Sequence, residues 1–189
     1  MDTTALFRRS IAGVGDYYRA LEIVQAGSRG DIWLIGGMVY RGIVSELYKR
    51  DPPKVDLDFV VESVNQVQLP TGWTVSINHF GNPKLTDGTL TIDLIPLKNI
   101  FSIISRHLTP TIDNFLSGTP LDIQSIAYDV KSDRVIGDTG TAAILNRQVG
   151  VHNLEQARLY EKRYEVRIND YIQQKASSLG FKPILIRER

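Results

Sequence analysis

Residues 34–62, LIGGMVYRGIVSELYKRDPPKVDLDFVVE, decide the fold. Asp31 to Ile35 (DIWLI) is a short apolar run of strand type, and Gly36-Gly37 follows it directly. Met38 to Arg50 has helical character, with Pro52-Pro53 as its stop, and Val55 to Glu62 is a second apolar strand. Side chains at i and i+2 of a strand share a face, so Asp56 and Asp58 project together while Leu57 and Phe59 point the other way. Two carboxylates about 6–7 Å apart along a strand repel each other unless a cation lies between them. Magnesium, with its preference for hard oxygen ligands and substrate phosphates, suits such a pair. The competing reading is an edge strand with two solvated aspartates. Val55, Leu57, Phe59, Val60 and Val61 are too apolar for that. The glycine pair lets a ligand approach the backbone, and the helix start favours an anion such as phosphate. Its competing reading is a tight turn that binds nothing.

Working outward, residues 3–26 have an apolar face of Leu6, Ile11, Tyr18, Leu21 and Val24, which predicts one helix, broken at Ser28-Arg29-Gly30. Residues 63–71 are expected as a connection. Trp73–Ile77 and Thr89–Pro96 are expected as strands, joined by a polar loop. The second contains Asp93, facing the same way as Thr91 and opposite to Ile92 and Leu94. A third acid on a neighbouring strand would complete a site for two cations. The alternative is a single structural aspartate near a strand end. Residues 97–108 are expected helical up to the break at Pro110, and Asp122–Val130 with Arg134–Asp138 as a hairpin. Asn153 is an N-cap with Gln156 three residues on, and Ala157, Tyr160, Tyr164, Ile168 and Tyr171 form a helical stripe ending near Gly180. Pro183–Arg187 is a late strand candidate. The alternation is α/β, with a mixed rather than fully parallel sheet.

Composition narrows the function classes. The chain has 189 residues, 42% hydrophobic and 23% charged, as in an ordinary globular protein. It has no cysteine, which excludes disulfides and thiolate zinc sites. The three histidines, His79, His107 and His152, are too scattered for a zinc motif. No apolar run approaches the roughly 18 residues that span a bilayer, and MDTTALFRRS lacks a signal-peptide core. The expected location is the cytoplasm, with no membrane partner. A net charge of +1 leaves any nucleic acid to a local patch.

Strand, diglycine, helix, DxD strand and a later strand with one acid together resemble the catalytic core of the DNA polymerase β-type nucleotidyltransferase superfamily. Within it, residues 34–62 are similar to the head domain of class II tRNA CCA-adding enzymes and bacterial poly(A) polymerases. Residues 123–151, IQSIAYDVKSDRVIGDTGTAAILNRQVGV, are similar to the family segment with an "INALAYD" run, a hairpin and an Asp followed by Gly. The resemblance covers roughly residues 30–152, and two separated motifs occur in the family's order.

The resemblance implies a polymerase β-like nucleotidyltransferase fold, a mixed sheet flanked by helices with a C-terminal helix. It divides the chain into a head domain, 1–152, and a helical extension packed on it, 153–189, without the neck, body and tail that grip tRNA. It implies transfer of a nucleoside monophosphate from an NTP to a hydroxyl acceptor (RNA or tRNA, a protein, or a small molecule) with release of pyrophosphate. Asp56 and Asp58 match the family's metal-binding acids, and Asp93 its third carboxylate by strand position. Two magnesium ions are implied. Gly36 and Gly37 match the phosphate-contacting glycines. There are departures. Tyr40 and Arg41 stand where the family has Arg-Asp, making Arg41 the candidate phosphate contact, displaced by one residue. Gly118, Thr119 and Pro120 stand where it has Arg-Arg-Asp. Those departures keep a second reading open: a non-catalytic nucleotide-binding regulatory module, or an antitoxin-like partner, on the same fold. Arg158, Lys162, Arg163 and Arg167 are interleaved with Glu155, Glu161 and Glu165, as on a solvated salt-bridged face. The tyrosine stripe is expected to pack on the sheet, and His79 to be a surface residue. No oligomeric state follows from the sequence.

Overall fold

The computed structural model describes residues 1–51, 56–65, 69–78 and 81–187. The expected helix stop at Pro52-Pro53, the strand start at Val55 and the surface assignment of His79 lie outside the described residues. In order, the elements are α1 (Thr3–Ala12), α2 (Gly15–Gly27), β1 (Ser28–Ile35), α3 (Gly37–Tyr48), β2 (Leu57–Val64), β3 (Thr74–Ile77), β4 (Pro83–Thr86) and β5 (Thr91–Pro96). Then come α4 (Phe101–Ile104), α5 (Ile112–Leu116), β6 (Ala127–Asp129), β7 (Arg134–Ile136), α6 (Asp138–Asn146), β8 (Gln148–Val149), α7 (Leu154–Tyr164), α8 (Ile168–Leu179) and β9 (Lys182–Pro183).

Seven strands form one sheet in the order β3-β4-β5-β2-β1-β6-β7. Only β2 and β5 run parallel; every other adjacent pair in this sheet is antiparallel. The sheet is therefore mixed, as expected. Strand alternation divides its two faces. Ile32, Leu34, Leu57, Phe59, Val61, Leu85, Ile92 and Leu94 enter the larger core, packed with residues of α1, α2, α3, α6 and α8. Leu34, Phe59, Ile92 and Leu94 are fully buried, each worth roughly 1.5–3 kcal/mol of transfer free energy. Trp33, Ile35 and Val60 take the opposite parity and join a smaller cluster with Leu97, Ile103 and Leu116. Asp58, one residue from Phe59 and two from Val60, falls on that second face, at its polar end.

Several elements differ from expectation. Residues 3–26 form two helices, broken at Gly13-Val14. Gly13 caps α1 and Asp2 Oδ1 accepts from Ala5 N at 3.0 Å. Flanking glycines favour such a break, and it lets α1 lie on α3 while α2 follows the sheet. Ser28-Arg29-Gly30 belongs to β1, through a bulge between Arg29 and Ile32 where Gly30 has φ +82. A Cβ at Gly30 would strike the Glu62 side chain. The polar loop before Asp93 contains β4, and α5 and α6 were not expected. Residues 97–108 hold only a 3-10 turn at Leu97–Asn99 and the short α4. Asp122–Val130 is a strand only at β6, with a 3-10 turn at Asp122–Gln124.

The C-terminal stripe does not run on one helix. Asn153 caps α7, accepting from Gln156 N at 3.1 Å, and the chain turns at Glu165 (φ 54). Glu161 Oε1 then accepts from Ile168 N at 2.7 Å at the start of α8. Gly180 (φ 58) ends α8 as expected. Ile168, Ile172, Ala176 and Leu179 are members of the main core cluster, and the late strand is the two-residue β9, parallel to β8. None of the described helices is long and apolar enough to cross a membrane.

Candidate active site

The polar end of the second face is built by β2, β5 and β4. Asp58 and Asp93 are register partners on the parallel pair β2·β5. Neighbours across a ladder point to the same side, so the acids of two different strands stand next to each other. Lys84 is the register partner of Asp93 on β4 and projects on that side too. Its Nζ lies 3.8 Å from Asp56 Oδ2 and 3.8 Å from Asp93 Oδ2. Asp56, just before β2, is the exposed member, 61% against 17% for Asp93.

The β4–β5 turn holds this register. Asp87 Oδ1 accepts from Thr89 N at 2.9 Å and Leu90 N at 2.8 Å, which lowers its carboxyl to about 2. Asp93 is held from its other side: Asn78 Nδ2 donates to Asp93 Oδ1 at 3.0 Å. Asn78 Oδ1 accepts from Asn82 N at 3.1 Å, and Asn99 Nδ2 donates to the Oδ1 of the buried Asn82 at 3.1 Å.

Asp58 is the electrostatically perturbed member. Burial, then the carboxylates of Asp93 and Asp56, push it up to about 7, against the opposing pull of Lys84 and Lys175. Charge concentrated this way on a concave wall is a mark of functional sites. Gly36 explains how Asp58 fits. It is the N-cap of α3 at φ 72, ψ −149, and a Cβ there would lie 2.6 Å from Asp58 Oδ2. The close approach this glycine permits is that of Asp58's own carboxylate. Gly37 is the first residue of α3, whose start has no side-chain cap, so its first amides face the acid-bearing end without a protein acceptor from a capping side chain.

A cavity of about 390 Å³ opens from Gly36 and Asp58. Ile35, Ile95 and Ile100 give it apolar lining, Asn82, Asn99, Gln124 and Gln156 supply amides, and Phe101, Phe115, Tyr160, Arg163 and Tyr164 add an aromatic and cationic part. Arg163 lies over the Phe101 ring at 4.9 Å. Tyr160 stacks on Tyr171 at 4.7 Å and meets Tyr164 at 4.3 Å, so the stripe packs on itself across the α7–α8 corner and lines the cavity. Arg158 pairs with Glu161 at 2.7 Å, as expected of a salt-bridged face. Gly118, Thr119 and Pro120 line the cavity as well. A Cβ at Gly118 would meet the Arg106 guanidinium, whose nitrogens donate to Ser102 O, Ser117 Oγ and Asn114 O. That arginine is committed to closing the 102–118 turn.

The structure thus brings together Asp56, Asp58, Asp93 and Gly36. Arg41 is engaged elsewhere: its Nη2 donates to Ser178 Oγ on α8 at 3.0 Å, tying α3 to the C-terminal helix. Among the described residues, no three His, Asp or Glu side chains form a group placed to hold a metal ion; the ammonium of Lys84 stands among the candidates. The donor chemistry is nonetheless of the right kind, with hard oxygens only, from three carboxylates, one of them destabilised as an anion by burial and then by its neighbours. Sequence pattern alone does not flag Lys84 of β4 or Asn78 and Asn82 beside it, because this stretch has the composition of a polar loop. Its alternation, Lys84 and Thr86 against the buried Leu85, was the available signal.

The fold, a mixed sheet flanked by helices, is the one seen in solved CCA-adding and tRNA-processing enzymes. The chain is similar to the Bacillus stearothermophilus CCA-adding enzyme in complex with CTP, with a TM-score of 0.61 and 17% identity, covering 90% of this chain and 41% of that one. It is similar to a tRNA-processing enzyme in an apo form (TM-score 0.59, 16% identity, 90% of this chain and 44% of that one). The Thermotoga maritima CCA-adding enzyme complexed with tRNA gives 0.51 and 16% identity, over 93% of this chain and 46% of that one. The chain therefore spans less than half the length of these structures. No family model and no curated protein matches it.

Proposed function

We propose that the chain is a nucleotidyltransferase domain that moves a nucleoside monophosphate from an NTP to a hydroxyl acceptor and releases pyrophosphate. The observation that carries this is the side-by-side placement of Asp58 and Asp93 on the parallel β2·β5 pair, with Asp58 lining a cavity beside Gly36. In this reading Asp56, Asp58 and Asp93 are the residues that hold magnesium, as one ion or two. Bound there, magnesium supplies charge stabilisation to the triphosphate. The acceptor oxygen attacks the α-phosphorus, the bond to the β-phosphate oxygen breaks, and the hydroxyl proton passes to Asp93, oriented by Asn78. The uncapped start of α3 at Gly36-Gly37 receives phosphate oxygens. The apolar lining, the amides and the aromatic part of the cavity suit a nucleoside, with Arg163 as a cation beside it. Arg41 contacts phosphate only if it leaves Ser178. The acceptor class includes RNA, tRNA among it; similar solved structures are complexes with CTP, ATP or tRNA. The cysteine-free composition fits a reducing cytoplasm.

The test is magnesium-dependent pyrophosphate release from each of the four NTPs with tRNA, total RNA and protein as acceptors. Asp58→Ala is expected to lower the rate by orders of magnitude. The second reading, a non-catalytic nucleotide-binding module, is favoured by Gly118-Thr119-Pro120 in place of the family's Arg-Arg-Asp; it predicts NTP binding with no pyrophosphate from any acceptor.

A further inference from the structure

Lys84 is absent from the roles assigned above, yet it occupies the middle of the acid cluster. Its Nζ stands at 3.8 Å from one oxygen of Asp56 and 3.8 Å from one of Asp93. Those distances are too long for a tight hydrogen-bonded pair; the ammonium is shared between two carboxylates from different strands. Its position is not an accident of a long side chain, because the β4·β5 register places Lys84 opposite Asp93 and the Asp87 turn holds that register. The side chain is 38% exposed, so it is free to swing out.

We propose that Lys84 is a tethered counter-ion that holds the site closed to metal, so that a divalent cation enters only by displacing its ammonium from Asp56 and Asp93. This rests on the reading above that the three carboxylates are metal ligands. Magnesium bonds carboxylate oxygens at about 2.0–2.1 Å, and an ammonium centred on the same oxygens repels the ion at a few ångströms. With Lys84 in place, its ammonium offsets part of the charge of the three carboxylates, and Lys175 adds a smaller pull on Asp58. Its displacement leaves the acids to the divalent ion.

The experiment is a titration of the 189-residue chain with Mn²⁺, the free ion counted by its paramagnetic resonance, for wild type, Lys84→Met, Lys84→Arg and Asp58→Asn. Lys84→Met keeps the stem and removes the charge; it is expected to bind Mn²⁺ about tenfold more tightly or better. Lys84→Arg retains the cation and should bind as weakly as wild type. It also separates loss of charge from loss of fold, which circular dichroism of each variant checks independently. In metal-free buffer Lys84→Met should melt below wild type, and Mn²⁺ should restore it. Equal affinities in wild type and Lys84→Met, with binding lost in Asp58→Asn, overturn the role of Lys84 and leave the metal-ligand reading standing. Binding that Asp58→Asn does not weaken, or no binding to any variant, overturns both.

Discussion

Asp58→Asn tests the electrostatics of the site without any substrate. With its carboxyl pushed up to about 7, folded Asp58 holds its proton at acidities where the unfolded chain, with an ordinary value of about 3.9, has lost it. A raised folded pKa means stability that is full below the unfolded value and is lost as pH rises through the folded one. Between pH 5 and pH 7 the loss is about 1.4 kcal/mol per pH unit, so wild type should be about 2–3 kcal/mol less stable at pH 8 than at pH 5 on this account alone. Asparagine carries no such linkage. The assay is urea unfolding of both proteins in EDTA at the two pH values. The variant's stability relative to wild type should rise by about 2 kcal/mol from pH 5 to pH 8, allowing for partial exposure of the group. A difference that is the same at both pH values refutes the crowded-carboxylate reading. Adding magnesium at pH 8 should stabilise wild type and leave the variant where it was.

Gly36→Ala puts a Cβ at a backbone conformation L-residues avoid and against Asp58 Oδ2; it should cost about 1–3 kcal/mol, and a thermal melt checks it. Asn78→Ala removes the donor that orients Asp93; it should cost about 1 kcal/mol in stability and slow pyrophosphate release about tenfold or more, as expected of a loosened general base. Ile172→Ala, at a fully buried position on α8, should cost about 2–5 kcal/mol. A single unfolding transition in that variant would place the residues after 152 in the same cooperative unit as the head, and two transitions would separate them.

Local pattern was enough for some of this molecule. The order strand, diglycine, helix, acid-bearing strand, and the opposite facing of Asp58 and Phe59, follow from a period of two in β2 and a period of 3.6 in α3. They are written in neighbouring residues and survive any packing. So do the caps at Asn153 and Gly180, which are local chemistry. Tertiary contact decided what these signals could not carry. Glycines at 13 and 15 permit the first helix break, but where it and the turn at Glu165 fall depends on how each half-helix packs. The β4 strand is too short to stand out from a polar loop until β5 pairs with it. The adjacency of Asp58, Asp93 and Lys84 is a fact of strand order and register between residues 26 and 35 positions apart in the chain, and no periodicity within a single segment encodes which strand becomes its neighbour.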